Sequence, residues 1–332
     1  MSATVLVTGY GGFLGSEICR QLLARGFRVR GVARQNYPAL HDLGVDCVRG
    51  SITDPDHCSE VSQGVDAVIH TAALAGVWGP RRDYEATNIS ATEFLLDAAR
   101  RTNARAFVLT SSPSVTFDGS PQCGIDESAP YPTRWLCDYP RTKAISEQSV
   151  LSANRSKALL TCALRPHLIW GVGDPHLVPR VLARCRAGRL RRVGDGTNLI
   201  DTVHVENAAL AHVLALEKLL AGDQQASGRS YFITDGDPVE CWDWISTILD
   251  CGGLRPPKKS ISLAGAYRIG AILEGTYRTL GIRSEPPMTR FVALQLGVDH
   301  YFRIDAARNY LGYQPQGDRN ERIDALRAWL SP

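Results

Sequence analysis

Thr4-Val-Leu-Val-Thr8 runs directly into Gly9-Tyr-Gly-Gly12-Phe-Leu-Gly15, and Ser16 to Arg25 follows with Ile18, Leu22 and Leu23 on one side. The first stretch is short, apolar and β-branched, and it reads as a buried parallel strand. The last has helical periodicity. Strand, glycine turn and helix in that order make a glycine motif credible as a dinucleotide cradle. Gly9 permits the tight turn, Gly12 lets a pyrophosphate approach the backbone, and Gly15 lets the helix pack on the strand. The helix N-terminus then faces the phosphates. An ordinary glycine-rich loop is the bland alternative, and the flanks argue against it.

Working outward, strands are expected at 4–8, 27–33, 45–48, 66–70, 105–111 and 159–164, with helices at 12–25, 56–63, 84–103 and 139–153. This alternation predicts an α/β fold, a Rossmann-type doubly wound parallel sheet. After about residue 165 prolines break the pattern. The expected division is 1–165 for cofactor binding and catalysis. Residues 166–332 form a smaller C-terminal substrate lobe, interleaved with the first. The 332 residues, 44% hydrophobic and 21% charged, suffice for a large core. A net charge of only +3 gives no field that argues for nucleic acid. Nine scattered cysteines, none in Cys-x-x-Cys, read as reduced thiols and predict no metal site. The chain enters a strand at once and has no run long enough to span a bilayer, so the expectation is a cytoplasmic protein without a leader.

Tyr139-Pro-Arg-Thr-Lys143 is the second informative segment. On a helix these two side chains share a face. An ammonium beside a phenol favours the phenolate and lowers the tyrosine pKa, which suits general acid–base work near neutral pH. Alone, the spacing reads by default as a half-buried tyrosine beside a solvated lysine, and the rest of the chain changes that reading.

Together the two motifs resemble the extended short-chain dehydrogenase/reductase superfamily. Asp66-Ala-Val-Ile-His70-Thr-Ala-Ala73 is similar to its fourth strand and cofactor-lining turn. Asn88-Ile-Ser-Ala-Thr92 is similar to its Asn-x-x-Gly-Thr motif, with Ala91 in place of glycine. Phe107-Val-Leu-Thr-Ser-Ser112-Pro-Ser-Val115 is similar to the strand ending in a catalytic serine. Leu164-Arg-Pro166-His-Leu168-Ile-Trp-Gly171 is similar to the nicotinamide-lining segment. Thr202-Val-His-Val205 and Leu311-Gly-Tyr313-Gln-Pro315 match later signatures. The resemblance implies Ser112, Tyr139 and Lys143 as the catalytic set, with Ser114 the main rival to Ser112. It implies cofactor contacts at Gly9, Gly12, Phe13, Leu14, Gly15, Arg34, Ile52, Thr71, Ala72, Ala73, Asn88, Tyr139, Lys143, Pro166 and Leu168. It also implies a homodimer through the 84–103 and 139–153 helices. His70, His167 and His204 read as structural, with the backbone of His167 a better cofactor contact than its ring.

An acid that holds the adenosine ribose should end the second strand. Here Ala33 stands in its place and Arg34 follows. An arginine binds a 2′-phosphate that a carboxylate would repel, so NADP(H) is expected over NAD(H). Gly50-Ser51-Ile52 departs from the family's Gly-Asp pattern, which leaves Ile52 to pack on the adenine and Asp54 to cap the next helix.

Within the superfamily the segments resemble the 3β-hydroxysteroid dehydrogenase branch, and within it the bacterial enzymes that reduce 2-alkyl-3-oxoalkanoic acids in long-chain olefin formation. NADPH reduction of such a β-keto acid to the 2-alkyl-3-hydroxy acid is the expected activity. NAD-dependent oxidation of a 3β-hydroxysteroid or sterol 4α-carboxylate is the alternative, and a non-catalytic NADP-binding sensor or scaffold is a third class. The substrate expected is a hydrophobic small molecule bearing a carboxylate. An apolar 263–280 helix and Trp170 are expected to line its lobe. Arg180, Arg184, Arg186, Arg189, Arg191 and Arg192 either draw in the carboxylate or form a solvated basic face. Association with other olefin-pathway enzymes and peripheral membrane contact, the latter through the 263–280 face between Arg268 and Arg278, are left open.

Overall fold

The computed structural model describes residues 2–154 and 158–331. Its strands are β1 Thr4–Thr8, β2 Arg28–Ala33, β3 Asp46–Arg49, β4 Ala67–His70, β5 Ala106–Thr110, β6 Gln122–Ile125 and β7 Leu160–Pro166; all but β6, which was not expected, follow the expected alternation closely. All but β6 join one parallel sheet, whose seventh strand, Arg229–Ile233, comes from the second half of the chain. The sheet order is Arg229–Ile233, β7, β5, β4, β1, β2, β3.

The helices of the first two-thirds are α1 Phe13–Ala24, α2 Pro38–Asp42, α3 Pro55–Val61, α4 Arg81–Tyr84, α5 Ala91–Arg101, α6 Asp138–Ala153, α7 Leu177–Arg186 and α8 Val205–Leu220. The rest are α9 Cys241–Cys251, α10 Leu263–Thr279, α11 Arg290–Gln295 and α12 Arg319–Leu330. β1 shows why its sequence is apolar throughout. Val5 and Val7 point to the face covered by α1 and α8, through Ile18, Leu22 and Ala208. Leu6 points to the other, with Leu95 and Val150 of α5 and α6. A strand buried on both faces has no polar alternation to display.

The strand order reverses between β1 and β4. A ligand crevice opens at the carboxyl ends of such neighbours. A second sheet of Val239–Glu240, Leu199–Ile200, His300–Phe302 and β6 contributes Gln122, His300 and Phe302 to that crevice.

Three expectations change here. The 84–103 helix is not one regular helix: a π-helical turn, Glu85–Ser90, separates α4 from α5 and shifts the faces that a 3.6 period predicts. Trp170 is wholly buried, with its ring 4.7 Å from that of Trp244, and lines no cavity wall. Helix α10 buries only Ala266, Gly270 and Glu274, leaves Ile269, Ile272 and Leu280 exposed, and stays outside the cavity. Its period marks the side that packs on the lobe through Leu263, Ala266 and Tyr267. No described helix is long and apolar enough to cross a membrane.

Candidate active site

Gly12 caps α1 with no side-chain hydrogen bond, so the helix presents free amides to the crevice, where an anion is favoured. Two glycines shape this end. Gly9 has φ of +69°, a conformation that L side chains rarely adopt. A Cβ on Gly15 would lie 2.2 Å from the Gly9 carbonyl oxygen, so only glycine lets α1 come so close. The cradle floor is a closed hydrogen-bond chain. Thr92 Oγ1 donates to Asn88 O at 2.6 Å, so it accepts from His70 Nε2 at 3.1 Å. His70 Nδ1 then accepts from Thr8 Oγ1 at 2.7 Å. Burial pushes His70 down to about 3; it is a neutral strut, as expected.

The crevice is one cavity of about 1060 Å³. Gly9, Gly12, Phe13, Leu14 and Gly15 line it near α1, with Arg34 and Ile52 at the ends of β2 and β3. Thr71, Ala72 and Ala73 follow β4, and Pro166 and Leu168 follow β7. Ser112, Tyr139 and Lys143 stand at the inner end. Asn88 does not line it. Its amide is consumed by Leu74 O and N and by Thr142 Oγ1, at 3.2, 2.8 and 3.0 Å, so it holds the loop after β4 against α6. The π-helical turn aims it there. Asp54 caps α3, accepting from the amides of Asp56 and His57.

Tyr139 and Lys143 share one face of α6. The Ser112 hydroxyl neighbours the Tyr139 phenol and favours its ionised form, and Ser112 Oγ lies 2.9 Å from Ser114 Oγ. Ser111 Oγ is buried without a partner among the described residues. The expected electrostatics need correcting. Burial raises the Tyr139 phenol, and the Ser112 hydrogen bond, rather than Lys143, is what opposes that rise. Lys143 instead donates to the Thr110 carbonyl at 2.5 Å. Burial lowers its ammonium to about 8, opposed by Glu147 one turn further on. Below about pH 8 Lys143 is charged, and above it the charge is lost. kcat/KM is therefore expected to fall about tenfold per unit above that pH, read from a pH–rate profile; a flat profile to pH 10 would contradict the assignment.

Sequence reasoning missed three features. Glu147 is fully buried against Arg165, with Nη2 at 2.5 Å; the continuing fourfold spacing 139–143–147 was its available signal. His167 lines the cavity, its amide donates to Ile233 O at 3.2 Å, and the pairing of its ring with His300 was not foreseen. His300, its partner, lies in a strand with no local motif. The arginines 180–192 line no part of the cavity; Arg180 and Arg184 pair with Glu285.

A glycine-rich helix start and a serine, tyrosine and lysine lining one crevice of a parallel sheet define the class: a nicotinamide-dependent oxidoreductase acting on CH–OH or C=O groups, with the extended short-chain dehydrogenase/reductase architecture. Residues 6–264 match the 3-beta hydroxysteroid dehydrogenase/isomerase family, and the chain belongs to it. It is similar to 2-alkyl-3-oxoalkanoate reductase of Shewanella oneidensis, 45% identical over 98% of this chain and 85% of that protein. The reductase of the same name from Stenotrophomonas maltophilia is 44% identical over 98% of each chain. Among solved structures, MoeE5 in complex with UDP-glucuronic acid and NAD superposes with a TM-score of 0.73, at 25% identity over 98% of both chains.

Proposed function

We propose that this protein reduces 2-alkyl-3-oxoalkanoic acids to 2-alkyl-3-hydroxy acids with NADPH. The observation that carries the reaction is the meeting of Ser112, Tyr139 and Lys143 at the inner end of one cavity. Near-full-length similarity to two reductases so named supports the substrate class. Phe117, Phe291 and Phe302 give the cavity an apolar wall suited to alkyl chains.

The donor end fits a nicotinamide dinucleotide: α1 opens on the cavity at Gly12 with no side-chain cap, and Gly9 and Gly15, whose Cβ atoms would meet neighbouring backbone, let turn and helix close up around that end. When bound, that cofactor supplies the hydride. Tyr139 gives its proton to the carbonyl oxygen as negative charge develops there. Ser112 donates a hydrogen bond to the same oxygen, a preorganised contact of about 2–4 kcal/mol. Lys143, anchored on Thr110, places positive charge beside the phenol and the ribose. The product alcohol no longer loses CO2, as a β-keto acid does.

Ala33 and Arg34 support NADPH. Arg34 is exposed at the cavity rim, and Arg49 Nε donates to its carbonyl at 3.2 Å, bringing a second guanidinium to the same edge. Arg34→Ala is expected to lower kcat/KM for NADPH roughly 10- to 150-fold, the worth of about 1.5–3 kcal/mol for a hydrogen bond to a charged group, with NADH little changed. A wild-type preference for NADH would overturn the cofactor reading.

The reading is tested by NADP+ reduction with a synthetic 2-alkyl-3-hydroxyalkanoic acid, because the keto acid decarboxylates. A 3β-hydroxysteroid with NAD+ runs beside it, since the family's name favours that second reading. Turnover of the steroid alone would move the protein to the sterol branch.

A further inference from the structure

The cavity carries Arg34 at one end and Lys143 beneath the tyrosine, and no other arginine or lysine lines it among the described residues. Both are committed to the cofactor in the reading above. A carboxylate substrate therefore meets no permanent cation of its own. What stands at that end is a pair of imidazoles. His167 Nε2 lies 2.7 Å from His300 Nδ1, and His300 Nε2 lies 2.7 Å from the Gln295 carbonyl oxygen.

A carbonyl only accepts, so His300 Nε2 carries hydrogen. Neutral His300 then offers a lone pair at Nδ1, and His167 must donate to it from Nε2. One ring position is left over. His167 Nδ1 is an acceptor with no hydrogen-bond partner among the described residues, in a residue that is 7% exposed and lines the cavity. Burial holds both rings below the ordinary histidine value, consistent with this neutral arrangement.

A lone pair facing a carboxylate repels it, and a proton between them turns repulsion into a charge-assisted hydrogen bond. We propose that His167 binds the substrate carboxylate, and that binding takes up one proton from solvent, held on Nδ1 and donated to a carboxylate oxygen. His300 and Gln295 position the ring by fixing which nitrogen is free. This inference rests on the β-keto acid reading. It also bears on decarboxylation: charge anchored at an imidazolium is less free to leave the carboxylate as CO2 departs.

The other ionisable groups around the pair are limited. Asp299 adjoins His300 on its strand. Asp201, pushed up to about 7 by burial, accepts from the Phe302 amide at 2.7 Å. The Arg165–Glu147 pair lies behind Pro166. Asp174, His176, Tyr139 and Lys143 line the same cavity. Asp201 and Lys143 change charge within the tested range and would weaken a carboxylate more than a neutral ester, so it is loss of the slope in the His167 variant, not the acid–ester comparison alone, that isolates His167.

The test is binding of 2-hexyl-3-hydroxydecanoic acid and its methyl ester to the NADP+ complex, by calorimetry in two buffers of different ionisation enthalpy. Expected are uptake of one proton with the acid, a Kd rising about tenfold per unit between about pH 6 and 8.5, and a flat profile for the ester. His167→Gln should weaken the acid at least about tenfold at low pH and abolish the slope, while the ester and NADPH bind as before. His300→Gln, the second variant, should weaken the acid less and keep the slope. Acid binding without proton uptake, or equal weakening of acid and ester by His167→Gln, would overturn the inference. Failure of the acid to bind, with turnover of the steroid, would bring down the substrate reading and this inference with it.

Discussion

Replacing Tyr139 with phenylalanine is expected to lower kcat by about 10²- to 10⁴-fold, the usual worth of a positioned general acid, with NADPH affinity roughly intact. The variant removes one oxygen. Ser112 retains its contact with Ser114, and Lys143 retains the Thr110 carbonyl, so neither depends on the phenol for its position. The raised phenol pKa sharpens the expectation. A tyrosine protonated at neutral pH is ready to donate to a forming alkoxide, so reduction should suffer as soon as the proton is gone. Steady-state kinetics with the hydroxy acid, and fluorescence titration with NADPH, separate the two effects. Turnover within about threefold of wild type would remove Tyr139 from the mechanism, since general acids are worth far more than that.

The features legible in the sequence were those whose physics is local. Gly9 and Gly15 announce a positive φ and a close helix approach because no other residue tolerates either. β1 announces burial on both faces through an unbroken apolar run. Tyr139 and Lys143 announce a shared helix face by spacing alone. What was hidden depends on partners distant in the chain. Asn88 looked like a cofactor contact, but the amide it serves belongs to Leu74, and a π-helical turn sets its direction. His167 acquires its role from His300, 133 residues away. The upward push on the Tyr139 phenol was not legible because spacing reports the neighbour and not the depth of burial. Helix α10 was read correctly as a helix packed on the lobe, through Leu263, Ala266 and Tyr267, but its period could not show that it stays outside the main cavity.

Glu147→Gln is expected to destabilise the fold by about 3–5 kcal/mol, the cost of breaking a buried ion pair from one side. Glu147 and Arg165 side chains are 0% and 2% exposed. Glu147 accepts from Arg165 Nε and Nη2 and from the Tyr131 hydroxyl, the last at 2.7 Å. Arg165 Nη1 already lacks a partner among the described residues, so the guanidinium has little to fall back on. With about 5–15 kcal/mol holding a typical domain, the loss is large, and urea unfolding should show it as a lower midpoint with unchanged slope. Removing both charges, Glu147→Gln with Arg165→Met, should recover part of the loss, because no uncompensated charge is left buried. The same substitution reaches the chemistry. Glu147 opposes the burial that lowers Lys143 to about 8, so its loss moves Lys143 lower still. The alkaline fall in kcat/KM should then begin at a lower pH in Glu147→Gln, and remain so in the double variant even where stability returns. A structural role alone would restore both together; a double variant that regains stability and the wild-type profile would confine Glu147 to the fold.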